Sequence, residues 1–191
     1  MRRSAQTVAT LAAAMTLAAA NGCTAGAGDG PLSAGESHST VCVGYTKEMI
    51  FTLGHVTLTN EGRHDIVITD AELIEPKNLE LIGAVALPEP SGGAVGIGAD
   101  DGWPPNHHTN PKVGSPADLA FWAKRQAIPG ATVKAGNDDL LAIGVKAGGR
   151  GSMNGVRLTY TADGKRYQAD TTAKLKVRPK CGGGFDSEDD E

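Results

Sequence analysis

Aromatic residues, cysteine and a charge bias in the interior are all scarce in this chain, and each scarcity excludes something. Aromatics make up 4% of the 191 residues and no basic stripe runs along the chain. Nucleic-acid binding, which needs clustered cations and stacking rings, is thereby excluded. The formal net charge of -4 is made by the ends: without Arg2 and Arg3 it is -6, and without Asp29 and the tail acids Asp186, Glu188, Asp189, Asp190 and Glu191 it is 0. The apolar stretch Thr7 to Ala20 is too short to cross a bilayer as a helix. No Gly-x-Ser-x-Gly elbow occurs, and Gly148-Gly149-Arg150-Gly151-Ser152 lacks the Lys-Ser/Thr ending of a phosphate loop. With no histidine beside an evident nucleophile, no enzyme activity and no cofactor are expected. There is no internal repeat.

What is present favours strands. The 26 glycines, with Thr and Val frequent in the periodic segments, predict an all-β domain of short strands and many turns. Its centre is Ile50 to Ile74. Val56 and Leu58 share one parity and, beyond the Asn60-Glu61-Gly62 turn cluster, so do Ile66 and Ile68, as half-buried strands require. Phe51 and Leu53 take the other parity, and so do Ala71 and Leu73. A bulge or a change of sheet at Gly54 would account for this. Thr40 to Val43 reads as a first strand, Leu79 to Leu87 as another, and Asp139 to Lys146 as one with Leu141, Ile143 and Val145 inward. Gly148 to Gly155 reads as a loop.

The clearest hairpin is Val156 to Ala169, turning at Asp163-Gly164, a pair that supplies the positive φ angles of a two-residue turn. Such a turn makes Ala162 face Lys165, Tyr160 face Tyr167, Leu158 face Ala169 and Arg157 face Asp170. The second arm alternates cleanly on to Val177. Between the strands, Ser115-Pro116-Ala117-Asp118 carries the signals of a short helix start, a Ser cap, Pro at the first position and Asp at the third, with Leu119 and Trp122 on the buried face.

Glu89 to Gly114 is a long segment with six glycines and several prolines. A loop of this length inside a compact domain is either functional or disordered. It holds Asp100, Asp101, Trp103, His107 and His108, which with His55 and His64 are the candidates for a metal or small-ligand site. No pair has diagnostic spacing, and adjacent histidines point apart unless a loop bends them. The bland alternatives are exposed loop histidines and a Trp103 that plugs its own loop onto the sandwich. Trp103 and Trp122 are otherwise candidates for a ligand platform. The paired acids Asp138 and Asp139 sit in turn-like sequence.

Met1-Arg2-Arg3 and the apolar stretch that follows have the form of a secretory signal over residues 1–22. Ala18-Ala19-Ala20 allows cleavage after Ala20, whereas Ala20-Asn21-Gly22-Cys23 is similar to a bacterial lipobox. Three cysteines leave one unpaired in an oxidising compartment. If Cys23 takes a lipid, Cys42 and Cys181 remain as a bridge between the two edges of the domain, where the first and last strands of a sandwich run side by side. Residues 23–39 then form a flexible tether, 40–181 the domain, and 182–191 an acidic tail.

Val56-Thr57-Leu58-Thr59-Asn60-Glu61-Gly62, Pro129-Gly130-Ala131-Thr132-Val133 and the Tyr160-Asp163-Gly164-Tyr167 hairpin carry a resemblance to immunoglobulin-like secreted lipoproteins of high-GC Gram-positive bacteria. The resemblance covers about Thr40 to Cys181. It implies an immunoglobulin-like antiparallel β-sandwich at the outer membrane face, and no reaction. It also favours an arch between two sheets, rather than a hairpin within one, at Asn60-Glu61-Gly62. The expected role is a non-enzymatic binding or structural protein. It is held to the membrane through Cys23 and shows the Glu89 to Gly114 loop to an envelope or extracellular partner; the alternative is an extracytoplasmic metal or small-ligand module using that loop.

Overall fold

The computed structural model describes residues 30–35, 40–89 and 97–181. The expected signal peptide, Cys23 and the acidic tail lie outside the described residues. In chain order the elements are β1 (Leu32–Ala34), β2 (Thr40–Gly44), β3 (Ile50–Asn60), β4 (Ile66–Leu73), β5 (Lys77–Pro88), β6 (Ala99–Asp101), α1 (Asn106–Thr109) and α2 (Pro116–Ala123). Then follow β7 (Gln126–Ala127), β8 (Thr132–Val133), β9 (Asp138–Met153), β10 (Val156–Ala162), β11 (Lys165–Asp170) and β12 (Lys174–Arg178). They form a mostly antiparallel β-sandwich of two sheets. One sheet has eight strands in the path β1-β3-β9-β12-β2, with β5 and then β7 beyond β9 and with β6 on β3; the other runs β11-β10-β4-β8.

The central ribbon is an arch. β3 belongs to the large sheet and β4 to the small one, where Ile66 lies opposite Val133. Asn60, fully buried at the bend, donates from Nδ2 to the carbonyls of His64 and Val133, each at 3.0 Å, and accepts from the Gly62 N–H at 2.9 Å. A buried amide satisfied in this way locks the crossing. The parity change also has its cause here: the β3–β9 register shifts between Leu53 and Val56, so Phe51, Leu53, Val56 and Leu58 are all buried. A second shift, where Thr159 and Tyr160 meet Asp70 and Ile68, turns β4 in the same manner.

Asp163 and Gly164 have φ angles of 49° and 72°, and all four pairings across the turn are as predicted. Arg157 and Asp170 form a two-pronged ion pair with contacts of 2.8 and 2.7 Å. The second arm does not continue as one strand. β11 stays in the small sheet, and after Thr171 and Ala173 the chain enters the large sheet as β12. Alternation survives the crossing because both strands turn one face to the same core: Ala169, Thr171, Ala173, Leu175 and Val177 are all buried. β12 runs parallel to β2, the one departure from antiparallel pairing among the described residues, and places Lys176 opposite Cys42. The Cys42–Cys181 disulfide closes there, with 5.8 Å between Cα atoms.

Three expectations are corrected. The chain joins the fold before Thr40: Leu32–Ala34, inside the expected tether, adds to β3 with Leu32 opposite Asn60. Leu32 is buried, its N–H donates to the Tyr160 hydroxyl at 3.2 Å, and the Pro31 carbonyl accepts from Glu61 N–H. A single apolar side chain amid Gly, Ala and Ser was too weak a signal. The expected loop from Gly148 is instead the last third of β9, which pairs with β12 through Gly151 to Met153. The paired acids Asp138 and Asp139 are not in a turn either; they are the first two residues of β9, and Asp139 is 3% exposed.

β5 and β9 carry cores on both faces. Inward, Leu141, Ile143 and Val145 meet the small sheet's Ile66, Ile68, Leu158 and Tyr160. Outward, Val85, Leu87 and Ala142 meet Ile97, Phe121 and Trp122. That two-sided burial explains why Ala84-Val85-Ala86-Leu87 is a continuous apolar run with no alternation.

Tyr160 is fully buried and stacked on Tyr167, with ring centroids 5.6 Å apart. Tyr160→Ala is expected to lower stability by about 3–5 kcal/mol, through the cavity and the loss of the β1 anchor. Asp170→Ala is expected to cost at most about 1 kcal/mol, because the pair it breaks is part-exposed. Denaturant unfolding of the two variants gives the ranking.

Candidate functional site

The long segment between β5 and α2 folds back onto the outer face of the large sheet over its described part, Ile97 to Gly114. Its residues 90–96 lie outside the described residues. β6 pairs with β3, setting Phe51 opposite Asp101 and Leu53 opposite Ala99. The Gly102 N–H then donates to the Ile50 carbonyl at 2.9 Å, and the Thr52 hydroxyl donates to the Gly102 carbonyl. Trp103 follows and lies on Gly83 and Gly144, which face each other across the β5–β9 ladder. A side chain at either glycine would collide with the indole. The two glycines thus open a flat seat in an otherwise apolar sheet.

α2 completes this second core. Ser115 accepts from the Asp118 N–H at 3.2 Å while the Asp118 carboxylate accepts from the Ser115 N–H at 3.0 Å, the reciprocal cap that the sequence predicts. The Ser115 hydroxyl, which donates to the Asp118 carboxylate at 2.7 Å, and then the Ser115 N–H hold that carboxyl below its ordinary range. The buried face of the helix is Phe121 and Trp122, not Leu119 and Trp122; Leu119 is only half-buried. Trp122 meets Trp103 edge to face at 5.7 Å, and the Arg125 guanidinium lies 5.3 Å from its ring centre. The two tryptophans therefore join the segment to the sheet, and the platform reading yields to the plug.

The candidate site residues divide three ways. Asp100 and Asp101 alternate along β6, so their side chains leave on opposite sides. Asp100 meets the exposed His107, with 3.2 Å between its Oδ2 and His107 Nδ1. His108 is buried, tilted against Phe121 and Trp122 at 6.2 and 6.3 Å, with Nδ1 3.4 Å from the Asp118 carbonyl. Asp101 and Trp103 line a cleft. His64 lies at the arch, 3.8 Å from Asp163, and the His55 side chain is outside the described residues. Among the described residues no three of His, Cys, Asp and Glu converge on a point where a metal could be held.

The cleft has a volume of about 480 Å³. One wall is the β2–β3 connection, with Thr46, Lys47, Glu48 and Ile50; the other is Asp101, Gly102, Trp103 and Pro104, with Asn106 and Thr109 at the rim. Its donors and acceptors are mixed in charge and surround a small apolar base. Such a lining suits a polar ligand or a loop of a partner better than an apolar molecule. The wall from Thr46 to Glu48 was not singled out in the sequence. The signal was there, a polar run between two apolar strands; Met49, with a φ of 53°, turns the chain sharply at its end.

No protein family matches the chain, and no curated protein does. Among solved structures, a protease of Vibrio cholerae, VesB, is similar over 76% of this chain, with 12% identity and a TM-score of 0.36; the match spans about a third, 32%, of the protease chain. The ASH/PapD-like domain 7 of human CEP192 is similar over 92% of this chain and 96% of its own, with 9% identity and a TM-score of 0.35. Likenesses this remote carry nothing about function.

Two outcomes follow from these packings. Gly144→Ala is expected to unseat Trp103, lowering stability by about 1–3 kcal/mol and shifting the tryptophan emission to longer wavelength, while Gly98→Ala, which meets nothing within 4 Å, leaves both nearly unchanged. Asp139 concerns pH. Burial, and secondarily the charge of Asp138, pushes its carboxyl up to about 6 from 3.8. Between those values the folded chain holds a proton that the unfolded chain has lost, so this group's contribution to stability falls as pH rises through the window. Asp139→Asn is expected to gain on the parent by up to about 3 kcal/mol between pH 4 and pH 7, read from denaturant midpoints at both.

Proposed function

We propose that this chain is a lipoprotein of the outer face of the cell membrane. It acts as a non-enzymatic β-sandwich binding module, held by an acyl anchor at Cys23, and offers the cleft between Thr46–Ile50 and Asp101–Thr109 to an envelope or extracellular partner. The observation that carries the reading is the Cys42–Cys181 bridge. A structural disulfide belongs to an oxidising compartment, in keeping with the signal-like N-terminus. Since it consumes two of three cysteines, Cys23 is left as the odd thiol, and acylation within Ala20-Asn21-Gly22-Cys23 removes it. The resemblance to lipoproteins of high-GC Gram-positive bacteria points the same way.

The makeup of the cleft supports a binding role: its lining offers carboxylates, an ammonium, an amide and hydroxyls around Ile50, Trp103 and Pro104. The Asp100–His107 pair beside it favours a second reading, a small-ligand or metal module at the same place. Isothermal titration with zinc and copper separates the two, since micromolar or tighter binding belongs only to the second.

Cells expressing the chain and treated with globomycin are expected to accumulate the unprocessed precursor, and mass spectrometry of the mature protein should find acyl mass on Cys23. A mature N-terminus at Asn21, without acyl mass, would overturn the anchor.

A further inference from the structure

We infer that β1 fixes which end of the sandwich faces the membrane: the end at the Asn60 arch lies next to the lipid surface, and the cleft points away from it. This rests on the lipid anchor proposed above, and it adds an orientation that the anchor alone does not supply. The argument begins with reach. A tether ending at Thr40 would give 17 residues beyond Cys23, up to about 60 Å of extended chain, enough for a small domain to present any side to the bilayer. The register of β1 shortens it. Pro31 accepts from Glu61 and Leu32 pairs with Asn60, so the chain is fastened to the sandwich only eight residues after Cys23, a reach of at most about 28 Å.

The place of that fastening decides the direction. Leu32 lies at the last residue of β3, whereas the cleft is built on its first, through Ile50 and through Asp101 opposite Phe51. Eleven residues of strand put the two ends about 30 Å apart. The fastening is not a loose contact. Leu32 is 5% exposed, and its N–H is bound to Tyr160, one of the most deeply buried side chains of the domain. Around the arch Lys134 pairs with Asp65 at 2.7 Å, His64 lies 3.8 Å from Asp163, and the exposed Arg63 is offset in charge by Glu61 two residues before it, so no excess of cations draws this end to lipid. The orientation is covalent in origin and insensitive to salt.

Energy transfer to a lipid acceptor tests it. A donor dye is placed on Arg63→Cys at the arch or on Lys47→Cys at the cleft, both exposed positions, with the native bridge leaving the new thiol free to react. The protein is held on phosphatidylcholine vesicles carrying an acceptor-labelled lipid. One arm uses the acylated protein from cells. The other uses a chain starting at residue 23 with Cys23→Ser and an N-terminal His-tag on nickel-chelating lipid. Transfer from position 63 is expected to exceed that from position 47 by about twofold or more in both arms, at low and high salt, for ends about 30 Å apart. Inserting twelve Gly/Ser residues after Gly28 should bring the two values together. Equal or reversed transfer in the tagged arm, or a difference that the insertion leaves intact, overturns the inference. A difference in the tagged arm, with no acylated protein obtained from cells, upholds the orientation imposed by β1 and defeats the lipoprotein reading instead.

Discussion

Burial of β9 on both edges and both faces is the constraint on which the rest of the structure depends. One edge pairs with β5; the other is shared by β3 and, over Gly151 to Met153 at the end of the strand, β12. Inward it presents Leu141, Ile143 and Val145 to the small sheet, and outward Ala142 and Gly144 to the 97–123 segment. Under the indole, at Gly144, that outer face has no room for any side chain. The small residues there admit an indole where a single sheet face would otherwise meet water. The cleft exists because that segment is held down, since its Trp103 wall is the same residue that fills the seat on Gly83 and Gly144.

Tyr160 has the corresponding role at the other end of the sandwich. It stacks on Tyr167, fills the space between the sheets, and uses its hydroxyl to accept the Leu32 N–H. The hairpin that holds it is a product of local turn chemistry, yet through this one bond it reaches a strand 128 residues away. Stability of the hairpin and placement of the N-terminal strand are therefore coupled.

The hairpin was legible because two residues, Asp163 and Gly164, impose a backbone geometry that sets every pairing behind them. The cap of α2 was legible for the same reason, as Ser115 and Asp118 act across one turn of helix. The disulfide followed from arithmetic on three cysteines and the places of two. Of the candidate site, the right segment could be named, but not which of its side chains meet. Asp100, Asp101, Trp103, His107 and His108 are close in sequence and end in three separate environments, since alternation along β6 and the buried face of His108 divide them. Gly83 and Gly144 each interrupt an apolar strand, a sign of close approach by another element; that they sit opposite one another takes the register to see.

The amino-acid order by itself determined what short-range physics controls: strand periodicity, the Asp163-Gly164 turn, the Ser115 cap, and the electrically balanced middle of the chain. Tertiary structure alone decided that β11 and β12 part into different sheets, that Leu32–Ala34 belongs to the domain, and that Trp103 lies on the sheet beside a cleft whose other wall begins at Thr46. Each of these depends on which residues far apart in the chain bury one another. That burial is non-directional and nearly proportional to area, so it leaves no signature in the local order of residues.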